Sequence, residues 1–290
     1  MSNYISFDIG GTAVKYGVID DAGVIYEKGS FSTPDNFHGL LDAMKMVLST
    51  YQHKYSPVAI ALSIPGAVNE ASGFIGGITA LRYIHGFNIK AKFSEVFGLP
   101  VGMANDANCA VLSEGWIGAA KDVKSYACVV IGTGVGGGVV VNDHLVSGAT
   151  QHGGEFGYWI MDPFSRTNWS DLGSTRILLR KAAWALGVDT IDGEAFFALV
   201  ANGNPLMISL LDEFCFINAL GIYNIKHAID PDLILVGGGI SCQPKVIEGI
   251  NNQLKILLSR GGNMEFEIVA CHHRNDANLI GAVYNMLLKD

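Results

Sequence analysis

Over Tyr4–Ile9 apolar and polar positions alternate, the pattern of a half-buried strand. Gly10-Gly11-Thr12 breaks the alternation, which resumes over Val14–Ile19. Asp20–Gly23 reads as a turn and Val24–Glu27 as a third strand. The period then changes. Beyond Pro34-Asp35, which opens a helix, apolar side chains at Phe37, Leu40, Leu41, Met44, Val47, Leu48 and Tyr51 share one helical face. Strands are predicted at Val58–Ile64 and Val101–Ala104, and helices at Ile89–Phe97 and Ala107–Trp116.

The second half repeats this order. Tyr126–Ile131 reads as a strand ending in Gly132-Thr133-Gly134, and Gly138–Val141 as a strand ending in the turn Asn142-Asp143. Ile9–Asp21 and Ile131–Asp143 align without a gap. After an insertion at about 150–204 come a long helix near Leu206–Ala228, the strand Leu233–Val236 and a helix near Pro244–Leu258. The strand Phe266–Ala270 and a helix at Asp276–Leu288 follow. Both halves read β-β-β-α-β-α-β-α, an internal repeat that predicts two similar lobes with a cleft between them. Chance likeness of two glycine-rich turns is the alternative.

The 290 residues suit two compact domains or one large one, and with 49% hydrophobic residues a sizeable core can be buried. Apolar runs such as Tyr126–Ile131 and Leu233–Val236 are of strand length. None approaches the roughly 20 residues of a membrane helix, so no membrane partner is expected. No basic, apolar leader precedes the first strand, so no secretory signal is expected either. A net charge of −8 without a Lys/Arg cluster argues against nucleic acid as a partner. Cys109, Cys128, Cys215, Cys242 and Cys271 lack metal or redox spacing, which fits reduced thiols in the cytoplasm.

Glycine changes the picture most, with 36 residues gathered in short clusters after strands. Asp8-Ile-Gly-Gly-Thr12, Gly132-Thr-Gly134 and Gly237-Gly-Gly239 all sit at strand ends. Glycine lets backbone N–H groups approach an anion closely, so two such turns can hold the β- and γ-phosphates of a nucleotide. The third can pass close to its sugar and base. Singly, each reads more readily as a tight structural turn; their order and spacing together make the signal specific. Asp8 fits beside phosphates bridged by Mg²⁺, or caps its own turn. Asp106, in Asn105-Asp-Ala-Asn108, is either a helix N-cap or a base that takes the proton of an attacking hydroxyl. Glu155, in His152-Gly-Gly-Glu-Phe-Gly157, suits vicinal hydroxyls, and His152 is a weak metal-ligand candidate.

Together these motifs resemble the ROK family of sugar kinases and repressors, within the actin/hexokinase/Hsp70 ATPase superfamily. The resemblance runs from about residue 4 to the C-terminus, every motif in family order. It implies an α/β fold of two ribonuclease-H-like, actin-like ATPase lobes with a central cleft and an internal duplication. The expected lobes are 1–117, joined by the C-terminal helix 276–290, and 118–275 with the insertion. It further implies ATP with Mg²⁺. Asp8, Gly10, Gly11, Thr12 and Lys15 match the first phosphate motif, with Asp8 as the residue beside Mg²⁺. Gly132, Thr133 and Gly134 match the second, and Gly237, Gly238 and Gly239 match the adenosine motif. Asp106 matches the catalytic base, while Gly66, Asn105 and Glu155 match sugar-contacting positions. Family kinases typically phosphorylate the 6-hydroxyl and are often dimers, so a homodimer is expected.

Two departures stand out. Tyr158 replaces the family's histidine and Trp159–Gly173 holds no cysteine, so no structural zinc is expected. The family's Leu-Glu pair, whose glutamate contacts the anomeric hydroxyl, has no counterpart. Asp171 or Ser174 sits near its place, and Gly173, Ser174 and Trp169 are expected to leave room and an apolar face for a substituent. A β-glucoside such as cellobiose is therefore the favoured substrate, with glucose or N-acetylmannosamine as alternatives. A regulator without catalysis is the competing class. With the first strand beginning at Tyr4, no helix-turn-helix domain is expected ahead of it.

Overall fold

The computed structural model describes residues 1–77, 79–259 and 266–289; residue 290 of the expected terminal segment lies outside them. The chain divides into two units. Unit 1 holds Met1–Lys121, Ser147–His152 and Asp276–Asp290, and unit 2 holds Asp122–Val146 and Gly153–Asn275.

Unit 1 is built on β1 (Asn3–Ile9), β2 (Ala13–Asp20) and β3 (Ile25–Ser32), then α1 (Phe37–Tyr55) and β4 (Ala59–Ile64). A small hairpin, β5 (Ala67–Asn69) and β6 (Phe74–Gly76), leads to α2 (Ile89–Phe97), β7 (Val101–Asn105) and α3 (Asp106–Ile117). The sheet runs β3-β2-β1-β4-β7. β1, β4 and β7 are parallel, whereas β2 and β3 return antiparallel. β1 is buried from Tyr4 to Ile9 on both faces, more than a half-buried strand. Its polar residues are satisfied inside: Ser6 donates to the Leu279 carbonyl at 2.8 Å. α1 starts at Phe37 rather than Pro34, because the Asn36 side chain accepts from the Gly39 N–H and caps it. The C-terminal helix Ala277–Leu287 packs on α3 and β4 within this unit.

Unit 2 repeats the plan. It has β8 (Tyr126–Ile131), β9 (Val135–Val141) and the short β10 (His144–Leu145). The insertion carries a hairpin of β11 (Ile160–Asp162) and β12 (Thr167–Asn168), then α4 (Trp169–Gly173), α5 (Thr175–Leu186) and α6 (Gly193–Ala201). α7 (Pro205–Ile229), β13 (Leu233–Gly237), α8 (Pro244–Leu258) and β14 (Ile268–Ala270) complete it. The order β10-β9-β8-β13-β14 matches that of unit 1 strand for strand, again with a parallel trio and an antiparallel pair.

Two sequence readings need correction here. The gapless repeat slips by one residue: Ile9 closes its hairpin against Val14, but Ile131 closes against Val135. The first glycine turn is one residue longer, and with a side-chain period of two a gapless alignment would invert every face of β9. Secondly, α7 is long and apolar enough, by length and composition, to cross a bilayer. Its buried Met207, Leu211, Phe214 and Ile222 instead belong to the core of unit 2.

Candidate functional site

In unit 1 the candidate residues gather at the C-terminal ends of the parallel strands, where open α/β sheets place ligands. Asp8 is buried near the end of β1. Its Oδ1 accepts from Ser63 Oγ at 2.8 Å and from Asn278 Nδ2 at 3.0 Å. Lys15 Nζ stands 3.6 Å from Oδ2. Both Ser63 and Lys15 lie opposite Asp8 in the strand registers, so sheet pairing itself delivers them. Gly10, Gly11 and Thr12 form the turn to β2. Gly10 N–H donates to the Ala13 carbonyl at 3.1 Å, and its carbonyl accepts from Thr33 Oγ1 at 2.6 Å.

β7 ends at Asn105 and α3 starts at Asp106. The N-cap is Asn105, whose Oδ1 accepts from the Asn108 N–H at 3.2 Å; Asp106 is not the cap. Asp106 Oδ1 accepts from the Ala107 N–H at 2.9 Å. Asn105 Nδ2 also donates to the Gly66 carbonyl at 3.0 Å. Gly66 has φ +102°, and a Cβ there would sit 2.8 Å from Thr79 Cγ2, so glycine is required. Cys109, inside α3, is fully buried. Burial pushes its thiol well above the ordinary range, and the charges of Asp8 and Asp106 push it further.

In unit 2, Gly132-Thr133-Gly134 joins β8 to β9, closed by Gly132 N–H donating to the Gly134 carbonyl at 2.8 Å. Gly237 ends β13, and Gly239 begins a short helical turn. Gly238, at φ +87°, lies against the Ile131 backbone, where a Cβ would overlap the Ile131 carbonyl. That glycine lets the third motif pass directly over the end of β8. Gly132, Thr133 and Gly239 line one cavity of about 690 Å³, within the range of small-molecule sites. Ile131, Leu179, Phe197 and Ile240 make its apolar wall, and Thr175, Arg176, Glu194 and Gln243 bring polar groups. Sequence reading missed the lining residues of α5 and α6, because neither helix carries a glycine motif.

Glu155 opens the turn Phe156–Tyr158, and its carboxylate has no hydrogen-bond partner among the described residues. His152 is exposed, with Nδ1 at 2.7 Å from the Thr150 carbonyl. No group of three or more His, Cys, Asp or Glu able to hold a metal exists among the described residues.

The family model described as "ROK family" matches residues 4–289. The chain belongs to the ROK family. It is 35% identical to a beta-glucoside kinase of Listeria innocua, over 98% of this chain and 97% of that protein. Among solved structures, a ROK family protein from Streptococcus pneumoniae in complex with sucrose superposes with TM-score 0.92 at 37% identity, covering 99% of this chain and 98% of that one. A ROK family glucokinase from Streptomyces griseus, in complex with glucose and AMPPNP, gives TM-score 0.84 at 27% identity, covering 97% and 98%.

The stretch Trp159–Gly173, which holds no cysteine, contains the β11–β12 hairpin. Its turn is closed by Asp162, which accepts from Phe164 N–H at 2.9 Å and from Ser165 Oγ. The Ser165 hydroxyl, then the Phe164 amide, hold the Asp162 carboxyl below its ordinary range. Trp169 offers no apolar face to a substrate: it is fully buried, with Nε1 donating to Asn218 Oδ1 at 3.0 Å. Ser174 is fully buried as well, and Asp171 pairs with Arg176 at 3.4 Å.

Proposed function

We propose that this protein is an ATP-dependent sugar kinase that phosphorylates the 6-hydroxyl of a hexose or hexoside, with a β-glucoside such as cellobiose as favoured substrate. The observation that carries the reading is the near full-length likeness to a beta-glucoside kinase, with Asp106 and Asp8 at two parallel strand ends. Asp106 serves as the base for the attacking hydroxyl. Asn105, Gly66 and Glu155 hold the sugar. The cavity of unit 2 takes the nucleoside, and the turns at Gly10–Thr12 and Gly132–Gly134 take phosphates through their amides. Of Gly237–Gly239, the adenosine motif, Gly239 lines this cavity.

Mg²⁺ fits Asp8. This ion keeps most of its waters and needs only one or two carboxylates besides the phosphates, and Asp8 offers a hard, positioned oxygen. When bound it would neutralise charge on the nucleotide's phosphates. The proposal includes no zinc, a cytoplasmic setting and a homodimer, and no nucleic-acid or membrane partner.

Preference for a glycoside rests on the missing glutamate. Asp171 is engaged by Arg176 and Ser174 is enclosed, so neither replaces it at the anomeric carbon. A site built around a free hydroxyl discriminates strongly against its absence, and that discrimination is removed here. The test is kcat/KM for cellobiose, an aryl β-glucoside, glucose and N-acetylmannosamine. The glycosides are expected to lead by about 10-fold or more. A preference for either free monosaccharide would sink the substrate assignment.

A further inference from the structure

We propose that Arg176 is a positioning residue for phosphoryl transfer, aiming the backbone amides of Thr133 and Gly134 at the phosphates of the nucleotide. The inference rests on the kinase reading above and adds a residue to it.

A glycine turn binds an anion through its N–H groups, and their direction is set by the peptide planes. In a trans peptide the C=O and the N–H of one unit point opposite ways. Fixing the carbonyl of one residue therefore fixes the amide of the next. The Gly132 carbonyl accepts from the Thr175 N–H at 2.9 Å, and the Thr133 carbonyl accepts from Arg176 Nε at 3.1 Å. Both donors lie in the first turn of α5. Both carbonyls are thus drawn toward α5, and the amides of Thr133 and Gly134 face away from it. Neither amide has an acceptor among the described residues. Two adjacent N–H groups turned outward from one glycine loop make an anion cradle.

Arg176 can hold this geometry because it is itself held. Its Nη2 stands 3.4 Å from Asp171 Oδ1, and Asp171 is fixed where Asn168 caps α4 through its N–H. The guanidinium fork bridges the Asp171 carboxylate and the Thr133 carbonyl simultaneously, which an ammonium on a flexible stem does less well. Arg176 and Thr175 also line the cavity, and the Thr175 hydroxyl has no partner among the described residues. This gives Asp171 a task, holding Arg176, in place of the sugar contact its position suggested.

The experiment is titration calorimetry of the full chain with ATP, ADP and adenosine, alongside steady-state kinetics and a thermal melt. In Arg176→Met, affinity for ATP and ADP is expected to fall about 10-fold, the worth of a hydrogen bond from a charged group. Adenosine, lacking phosphates, should bind within about 2-fold of wild type. KM for ATP should rise, KM for the sugar should stay unchanged, and Arg176→Lys should fall between the two proteins. Equal loss of adenosine would make Arg176 a wall of the nucleoside pocket and overturn the proposal, as would wild-type ATP affinity in Arg176→Met. A wild-type protein that binds no ATP would instead overturn the kinase reading itself.

Discussion

Asp106→Asn is expected to abolish sugar phosphorylation while leaving the fold in place. The side chain sits at the first position of α3, and the cap belongs to Asn105, so the helix keeps its start. An asparagine retains the oxygen that accepts from the Ala107 N–H. What it loses is the capacity to take a proton at neutral pH. Removal of a general base costs on the order of 10²–10⁴ in rate. A wild-type melt and near-normal sugar affinity, with kcat down by that amount, is the expected pattern. Turnover close to wild type would reduce Asp106 to a turn residue.

The largest stability effect is expected from Trp169→Ala. Trp169 lies fully buried beneath Phe156 and Trp159, with ring centroids 6.4 and 6.3 Å away. Its Nε1 satisfies Asn218, whose Nδ2 in turn bonds the Gly173 and Phe214 carbonyls at 3.1 and 2.8 Å. Truncation of a buried tryptophan costs about 3–5 kcal/mol, and here it also strands the Asn218 oxygen. The melting temperature should drop by about 10 °C. Trp169→Phe, which keeps a ring but not the N–H, should fall between. A melt of Trp169→Ala within a degree or two of wild type would contradict the buried placement.

Alternation and glycine punctuation located the strands because those signals are local. Asp8, the two glycine turns proposed to hold phosphates and the Asn105-Asp106 pair stand out in the sequence for the same reason. The partners of Asp8 were not, since Ser63 and Asn278 reach it only through strand register and the C-terminal helix. Asn105 and Asp106 are both good capping residues. The choice between them depends on β7 pairing with β4 as far as Asn105 and Ile64, a non-local fact. Trp169 is expected from sequence to offer an apolar face to a substituent because its burial comes from α7, far along the chain. The repeat was visible, but its one-residue slip was not, because the two glycine turns differ in length only when their closing pairs are known.

The most direct test of the kinase assignment is the product itself. Wild-type protein incubated with ATP, Mg²⁺ and cellobiose should yield one ADP per sugar consumed, and NMR should place the new phosphate on the 6-oxygen of the non-reducing glucose. ADP release that no sugar accelerates, or phosphate carried by a different hydroxyl, would contradict the account.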